Sequence, residues 1–200
     1  MRKSLTIVAA VVALGLLGAC SSGGSDDAAK DTTTTAKEAT TTTTTAGVKV
    51  ETWATDFCGS LGTWLGDIKK ASDAAGDQAK VGDVGSLQRA VGNLYGTMSS
   101  ATKTLIEEIT AQGPPDIEDG EAFQAALIGK YEVVDQAALD VQEEITATPA
   151  EDIATFQAKV DELGTRFQAK VEDASKAILA LGTKYPSKEL SAAIKSSCLF

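Results

Sequence analysis

The chain has 200 residues, with 18 basic and 28 acidic side chains, a formal net charge of −10 and a pI of about 4.5. Such an acidic chain lacks the cationic field that nucleic-acid binding needs, so we expect no nucleic-acid partner. The sequence contains no histidine, which excludes Ser-His-Asp and Cys-His catalysis and imidazole metal sites. Its length allows one ordinary domain with extensions.

The first twenty residues have the three-part organisation of an export signal. Arg2 and Lys3 form a basic start, and an apolar run from Leu5 to Leu17 follows. This run is too short for a bilayer core of about 30 Å, which needs about 20 residues. A basic start, a short apolar middle and small residues before a cleavage point are typical of a segment that is removed on export.

The segment Leu17-Gly18-Ala19-Cys20 resembles the lipobox of bacterial lipoprotein precursors. The resemblance implies that the Cys20 sulfur receives a diacylglyceryl group and that cleavage removes residues 1–19 as a lipoprotein signal peptide. It also implies that acyl chains such as palmitate anchor Cys20 to the extracytoplasmic face of a bacterial cell membrane. An ordinary secretory signal with an incidental cysteine is the alternative.

Residues 21–47 contain no aromatic and no β-branched aliphatic side chain, and threonine fills 10 of the 14 positions between 32 and 45. This composition cannot bury enough apolar surface to offset the entropy lost on ordering the chain. We therefore expect residues 20–47 to be a lipidated cysteine followed by a disordered Thr-rich tether. As a flexible coil the tether would span roughly 30 Å. O-linked sugar on the threonines is an alternative to a plain spacer.

Residues 48–200 form the domain that the sequence predicts, and they carry 14 basic and 24 acidic side chains. Their apolar residues repeat at steps of three and four, as in amphipathic helices. No run of five or more alternates convincingly as a strand would. The predicted fold is therefore all-α, an up-down four-helix bundle with a short C-terminal helix.

Glycine and proline mark the predicted helix ends. Gly76 lies near the end of the first helix, the run Gly113-Pro114-Pro115 ends the second, and Pro186 precedes the short final helix. Thr148 stands directly before Pro149, which predicts Thr148 as the N-cap of the fourth helix.

Cys58 and Cys198 remain when a lipid modifies Cys20, and disulfides persist in exported domains. On a helical wheel Cys58 lies about 140° from Trp53, at the edge of the apolar stripe, where a C-terminal segment can reach it. Pairing would close a loop of about 140 residues, worth roughly 5 kcal/mol in the chain-entropy model. We predict that this bond pins the last helix to the first. Two free thiols and an intermolecular pair are the alternatives.

Several glycines lie on helix faces. Gly59, Gly62 and Gly66 fall opposite the core stripe of the first helix, and Gly92 and Gly96 lie beside the stripe of the second. Because glycine is unfavourable inside a helix, three explanations are open. They are compositional drift, close docking of another helix such as the C-terminal one, and an external partner.

Acidic residues are the remaining candidates for chemistry. The loop at 116–121 lacks the spacing of an EF-hand, so a solvated loop is favoured over a Ca²⁺ site. Neighbouring acidic pairs diverge by about 100° on a helix and do not converge as catalytic acids. We therefore predict no catalytic residue, no cofactor and no metal.

The preferred function is a non-enzymatic, lipid-anchored helical domain with a binding or cell-envelope structural role. The chain resembles small helical secreted lipoproteins of high-GC Gram-positive bacteria, with a Thr-rich stalk and cysteine-stapled helices. We expect a monomer, and a protein or apolar small-molecule partner is left open. One alternative is an apolar ligand or lipid held between the helices, with a lining of Trp53, Phe57, Trp64 and Tyr131. The other is a carboxylate-based hydrolase.

Overall fold

Five α-helices make up most of the chain in the computed structural model, which describes residues 47–79, 82–149 and 152–198. In chain order the helices are α1 (Val50–Gln78), α2 (Val84–Gln112), α3 (Gly120–Ala147), α4 (Ile153–Lys184) and α5 (Lys188–Ser197). These ranges contain no β-strand, only an isolated bridge between Val48 and Pro115, so the predicted all-α class is confirmed. The predicted signal peptide, the lipobox and almost all of the tether lie outside the described residues.

The four long helices pack in chain order: α1 lies against α2, α2 against α3 and α3 against α4, while α5 folds back onto α1. The start of α1 meets the end of α2, where Trp53 Nε1 donates a hydrogen bond to Gly113 O. The start of α3 meets the end of α4, where the rings of Phe123 and Tyr185 are in contact. Helices α1 and α2 therefore run antiparallel, and so do α3 and α4. Helices α1 and α4 approach each other much less closely.

Each long helix turns one apolar stripe towards a common core, as the spacing of three and four residues predicts. The largest side chains among those that solvent does not reach include Trp53, Leu105, Ile109, Ile145, Phe156 and Leu163. Helix α4 has the sparsest stripe, and along its 32 residues it buries only Phe156, Leu163, Phe167, Ala174 and Leu181. Most of the surface of α4 therefore faces solvent.

Side-chain caps begin three helices, and they are Asp83 for α2, Asp152 for α4 and Ser187 for α5. The prediction that Thr148 caps α4 is wrong, because the Thr148 hydroxyl donates to Glu144 O at the end of α3. The Asp152 carboxylate instead accepts hydrogen bonds from the N–H groups of Ala154 and Thr155. A carboxylate that accepts two free N–H groups at the positive end of a helix is a strong start signal. Helix α4 therefore begins at Ile153.

Two glutamines fasten the antiparallel pair α2 and α3 at opposite ends. Gln88, near the start of α2, donates from Nε2 to Ile145 O at 2.9 Å and to Thr148 O at 2.8 Å. Gln124, near the start of α3, donates to Ile109 O at the end of α2. Neither α2 nor α3 has a basic residue in its last turn. The amides of the neighbouring helix therefore supply donors that the exposed carbonyls of these helix ends need.

The chain enters the domain along the loop between α2 and α3. Val48 N–H donates to Pro114 O, and Asp116 N–H donates to Val48 O, both at 2.8 Å. Pro115, between these two positions, is fully buried. Gly120 lies so close to this loop that an added Cβ would be 2.1 Å from Pro115 O. The beginnings of α1 and α3 are therefore joined through one tightly packed loop.

The glycines on the helix faces have two different environments. A Cβ added to Gly96 would lie 2.5 Å from Nε2 of Gln142 on α3, and Gly92 also faces α3. Another helix therefore packs closely against Gly96, and that helix is α3 and not α5, whereas a Cβ added to Gly92 would make only an ordinary contact with Thr146 of α3. No atom of another element lies within 4 Å of a Cβ added to Gly59 or Gly66.

Candidate functional site

The predicted disulfide between Cys58 and Cys198 is present in the structure. The two Cα atoms are 5.0 Å apart. Cys58 is buried on α1, whereas Cys198 at the end of α5 is half-buried. The Oγ1 atom of Thr55 on α1 also lies 3.5 Å from the Oγ atom of Ser197 on α5. The bond therefore pins the last helix to the first, as the wheel position of Cys58 predicts.

A first aromatic cluster lies at the end of the domain where α1 begins. The Trp53 ring stacks on Phe57 with centroids 5.1 Å apart and meets Phe123 edge-on at 5.6 Å. Phe123 in turn meets Tyr185 edge-on at 6.0 Å. Because Trp53 Nε1 donates to Gly113 O at 3.0 Å, its only polar atom is satisfied. This cluster ties α1 to α3 and to the residue that follows α4.

A second aromatic cluster lies further along α1. Trp64 and Tyr131 meet edge-on with centroids 6.0 Å apart. Trp64 Nε1 donates to Thr102 Oγ1 at 3.0 Å, and the Thr102 hydroxyl donates to Met98 O at 2.8 Å. The polar atoms of Trp64 and Thr102 thus form a continuous hydrogen-bonded chain inside the core.

The structure does not bring the four predicted ligand-lining residues together. Trp53 and Trp64 are eleven positions apart on α1, which separates them by about 16 Å along the helix axis. Trp53 packs with Phe57, and Trp64 packs with Tyr131. An apolar ligand in contact with all four rings would have to extend about 16 Å along α1. The apolar-ligand function therefore stays a prediction.

A third ring contact was not predicted as a site. The rings of Tyr95 on α2 and Phe167 on α4 meet edge-on with centroids 5.1 Å apart. Both residues lie on the apolar stripes, but a stripe does not identify which ring on another helix a side chain will meet. The contact links α4 to α2.

We expect Thr102→Val to lower the free energy of unfolding by about 1–3 kcal/mol. Valine has nearly the same shape, but it leaves the buried Trp64 N–H without its acceptor. The midpoint of urea unfolding, followed by tryptophan fluorescence, measures the loss. Thr104→Val is the matched control, because Thr104 is exposed on the same helix, and it should change stability by less than about 0.5 kcal/mol. Equal stability of the two variants would contradict the assignment of the hydrogen bond.

Burial raises the pKa of Tyr131 well above the ordinary value of a tyrosine. The folded state therefore keeps this phenol neutral at a pH at which the unfolded chain ionises it. The raised pKa of Tyr131 leaves the free energy of unfolding unchanged below about pH 10. Above that pH it lowers the free energy of unfolding by roughly 1.4 kcal/mol per pH unit.

Tyr131→Phe should therefore reduce the loss of stability between pH 9 and pH 11. Urea unfolding at several pH values, for the parent and the variant, tests this expectation. Parallel curves for the two proteins would show that Tyr131 does not contribute to the alkaline sensitivity.

The described Asp and Glu side chains are all exposed or half-buried. Glu144 at the end of α3 pairs with Arg166 and Lys159 of α4. Hydrogen bonds from Arg166 and then from Lys159 lower the pKa of Glu144. Such exposed pairs stabilise a fold only weakly. Glu144 therefore joins two helices at the surface and does not have the raised pKa expected of a general acid.

The acidic loop between α2 and α3 presents its side chains to solvent, namely Asp116, Glu118, Asp119 and Glu121. In the described ranges no group of three or more His, Cys, Asp and Glu side chains is placed to hold a metal ion. Part of this negative charge lies at the start of α3, where the helix dipole is positive.

Comparisons with protein-family models, with curated proteins and with solved structures give no match. Within the described ranges, no helix combines the length and the apolarity that a bilayer crossing requires.

Proposed function

We propose that the chain is a lipid-anchored protein of the extracytoplasmic face of a bacterial membrane, with a non-enzymatic binding or cell-envelope structural role. In this proposal the domain is a four-helix bundle with a stapled C-terminal helix, and residues 21–47 form a spacer between the lipid and the bundle. The observation that carries it is Leu17-Gly18-Ala19-Cys20 at the end of a short apolar segment with a basic start.

The cysteines support export of the domain. Disulfides persist outside the cytoplasm and are rare inside it. Cys58 and Cys198 are paired, so Cys20 is the one cysteine left over for another role. Lipid attachment at the last position of a lipobox-like segment needs a free thiol, because the lipid is bonded to the cysteine sulfur.

The physics of anchoring supports a covalent lipid as the attachment. A buried acyl chain contributes about 0.8 kcal/mol per CH₂, so two or more chains hold a protein stably on a bilayer. The described helices offer no membrane-crossing segment, and the domain has an excess of acidic side chains. An anionic bilayer surface would repel such a domain, so attachment would depend on the lipid.

The missing histidine and the solvated carboxylates support a binding or structural role over hydrolysis. A hydrolase built on two carboxylates keeps one of them protonated through burial or a neighbouring charge. The described Asp and Glu side chains are exposed or half-buried, and half-buried Glu144 is paired with Arg166 and Lys159.

The test is Cys20→Ser, expressed in a bacterium that processes lipoproteins. The parent should be found in the membrane fraction, with the mass of a chain that begins at acylated Cys20. Cys20→Ser should leave the membrane fraction while its domain keeps the Cys58–Cys198 bond. Ser22→Ala is the matched control and should behave as the parent. Membrane attachment of Cys20→Ser would overturn the proposal.

A further inference from the structure

We propose that the Cys58–Cys198 disulfide is a reducible latch for α5. When an external dithiol reduces it, α5 leaves α1, and the four long helices stay folded. The latch does not depend on the proposed function, because it concerns the domain alone.

Helix α5 is the least embedded element of the described domain. It has ten residues and buries only Leu190 and Ala193. It packs closely against α1 but not against the other helices. An isolated helix of this length is unstable in water. Outside the disulfide, α5 therefore depends on a small apolar contact and on the contact between Thr55 and Ser197.

The end of α4 is held independently of α5. Leu181 in its last turn is buried in the core. Tyr185, the residue after α4, is half-buried and packs edge-on against Phe123 of α3. The segment from Pro186 to Ser187 is not helical. Release of α5 can therefore start directly after Tyr185 without pulling α4 out of the core.

The latch covers one side of α1. Cys58 has 4 % of its surface exposed and Ala54, one turn earlier on the same face, has none. The contacts of α5 lie on this side, at Thr55 and Cys58. Departure of α5 would therefore expose an apolar strip on α1 and the thiol of Cys58.

The chemistry is thiol–disulfide exchange with a dithiol. Its thiolate attacks the Sγ atom of half-buried Cys198, and Cys58 leaves as a thiolate that takes up a proton. The second thiol then attacks the mixed disulfide and releases Cys198 as a thiol. The dithiol is oxidised to a disulfide, and the two cysteines gain two electrons and two protons.

Hydrogen–deuterium exchange of the whole chain tests the latch, with dithiothreitol as the dithiol. The chain carries Cys20→Ser, so that Cys58 and Cys198 are its only cysteines. In the reduced protein, exchange of the α5 amides at 188–197 should rise roughly tenfold or more, and α1 to α4 should change little. Cys58 should then react with iodoacetamide under native conditions.

A second variant keeps the test independent of the reductant. Cys58→Ser combined with Cys198→Ser should give the same exchange pattern in the absence of dithiothreitol. Unchanged protection of α5 in either experiment would overturn the latch. Loss of protection throughout α1 to α4 would overturn it as well, because the disulfide would then hold the whole fold.

Discussion

Replacing Trp53 with alanine is expected to lower the free energy of unfolding by about 3–5 kcal/mol. Trp53 is fully buried and stacks on Phe57, and it meets Phe123 of another helix. The substitution also removes the hydrogen bond to Gly113 O. Since domains of this kind have a free energy of unfolding of about 5–15 kcal/mol, the loss of this one side chain would remove a large share of that stability.

Urea unfolding followed by circular dichroism measures the effect, because the signal does not depend on the tryptophan. Trp53→Phe keeps a ring and loses the indole N–H, so its loss should be intermediate. Leu179→Ala is the control, since Leu179 is 58 % exposed, and it should shift stability by less than about 0.5 kcal/mol. A Trp53→Ala protein as stable as the control would refute this account of the first cluster.

Substituting Gly120 with alanine is expected to destabilise the domain by at least about 2 kcal/mol. An added Cβ would lie 2.1 Å from Pro115 O, which is backbone and cannot turn aside. Pro115 is fully buried, and backbone hydrogen bonds to Val48 hold the loop on both sides of it. The clash would therefore have to shift the loop, and with it the entry of the chain into α1.

Gly66→Ala is the matched comparison, and the sign of its effect should be opposite. Gly66 lies inside α1, and no atom of another element lies within 4 Å of its added Cβ. Alanine there should stabilise the domain by about 0.5–1 kcal/mol, because glycine loses more backbone entropy on helix formation. The difference in thermal midpoint between the two variants tests both expectations. A harmless Gly120→Ala would show that the loop yields easily.

The fold class follows from local information. Apolar spacing is set by the period of the helix, so the amino-acid sequence alone indicates the stripes around Trp53, Leu105 and Phe156. Gly113 with the prolines after it ends α2 for reasons that concern only neighbouring residues. The same holds for the short final helix after Pro186.

Long-range pairing could not be predicted in this way. The Gln88 amide reaches carbonyls at the end of α3, and nothing local to Gln88 distinguishes it from a surface glutamine. Thr148 and Asp152 both lie near the start of α4, and both residue types are favoured as N-caps. The sequence alone therefore does not indicate that Asp152 is the cap.

The sequence predicts some parts of the candidate site and not others for the same reason. A helical wheel gives the face on which a residue lies, which was enough to place Cys58 at the edge of the core beside α5. The wheel ignores height along the helix axis, so it places Trp53 and Trp64 in one lining although three turns separate them.

The bridge at Val48 has a mechanical consequence. Helix α1 has no side-chain cap at its start, where Lys49 makes no capping hydrogen bond. A pull on the chain ahead of Gly47 would first load the two hydrogen bonds between Val48 and the loop around Pro115. They would have to break before tension could unwind the first turn of α1. The bridge would therefore protect the start of α1 from force applied through the preceding chain.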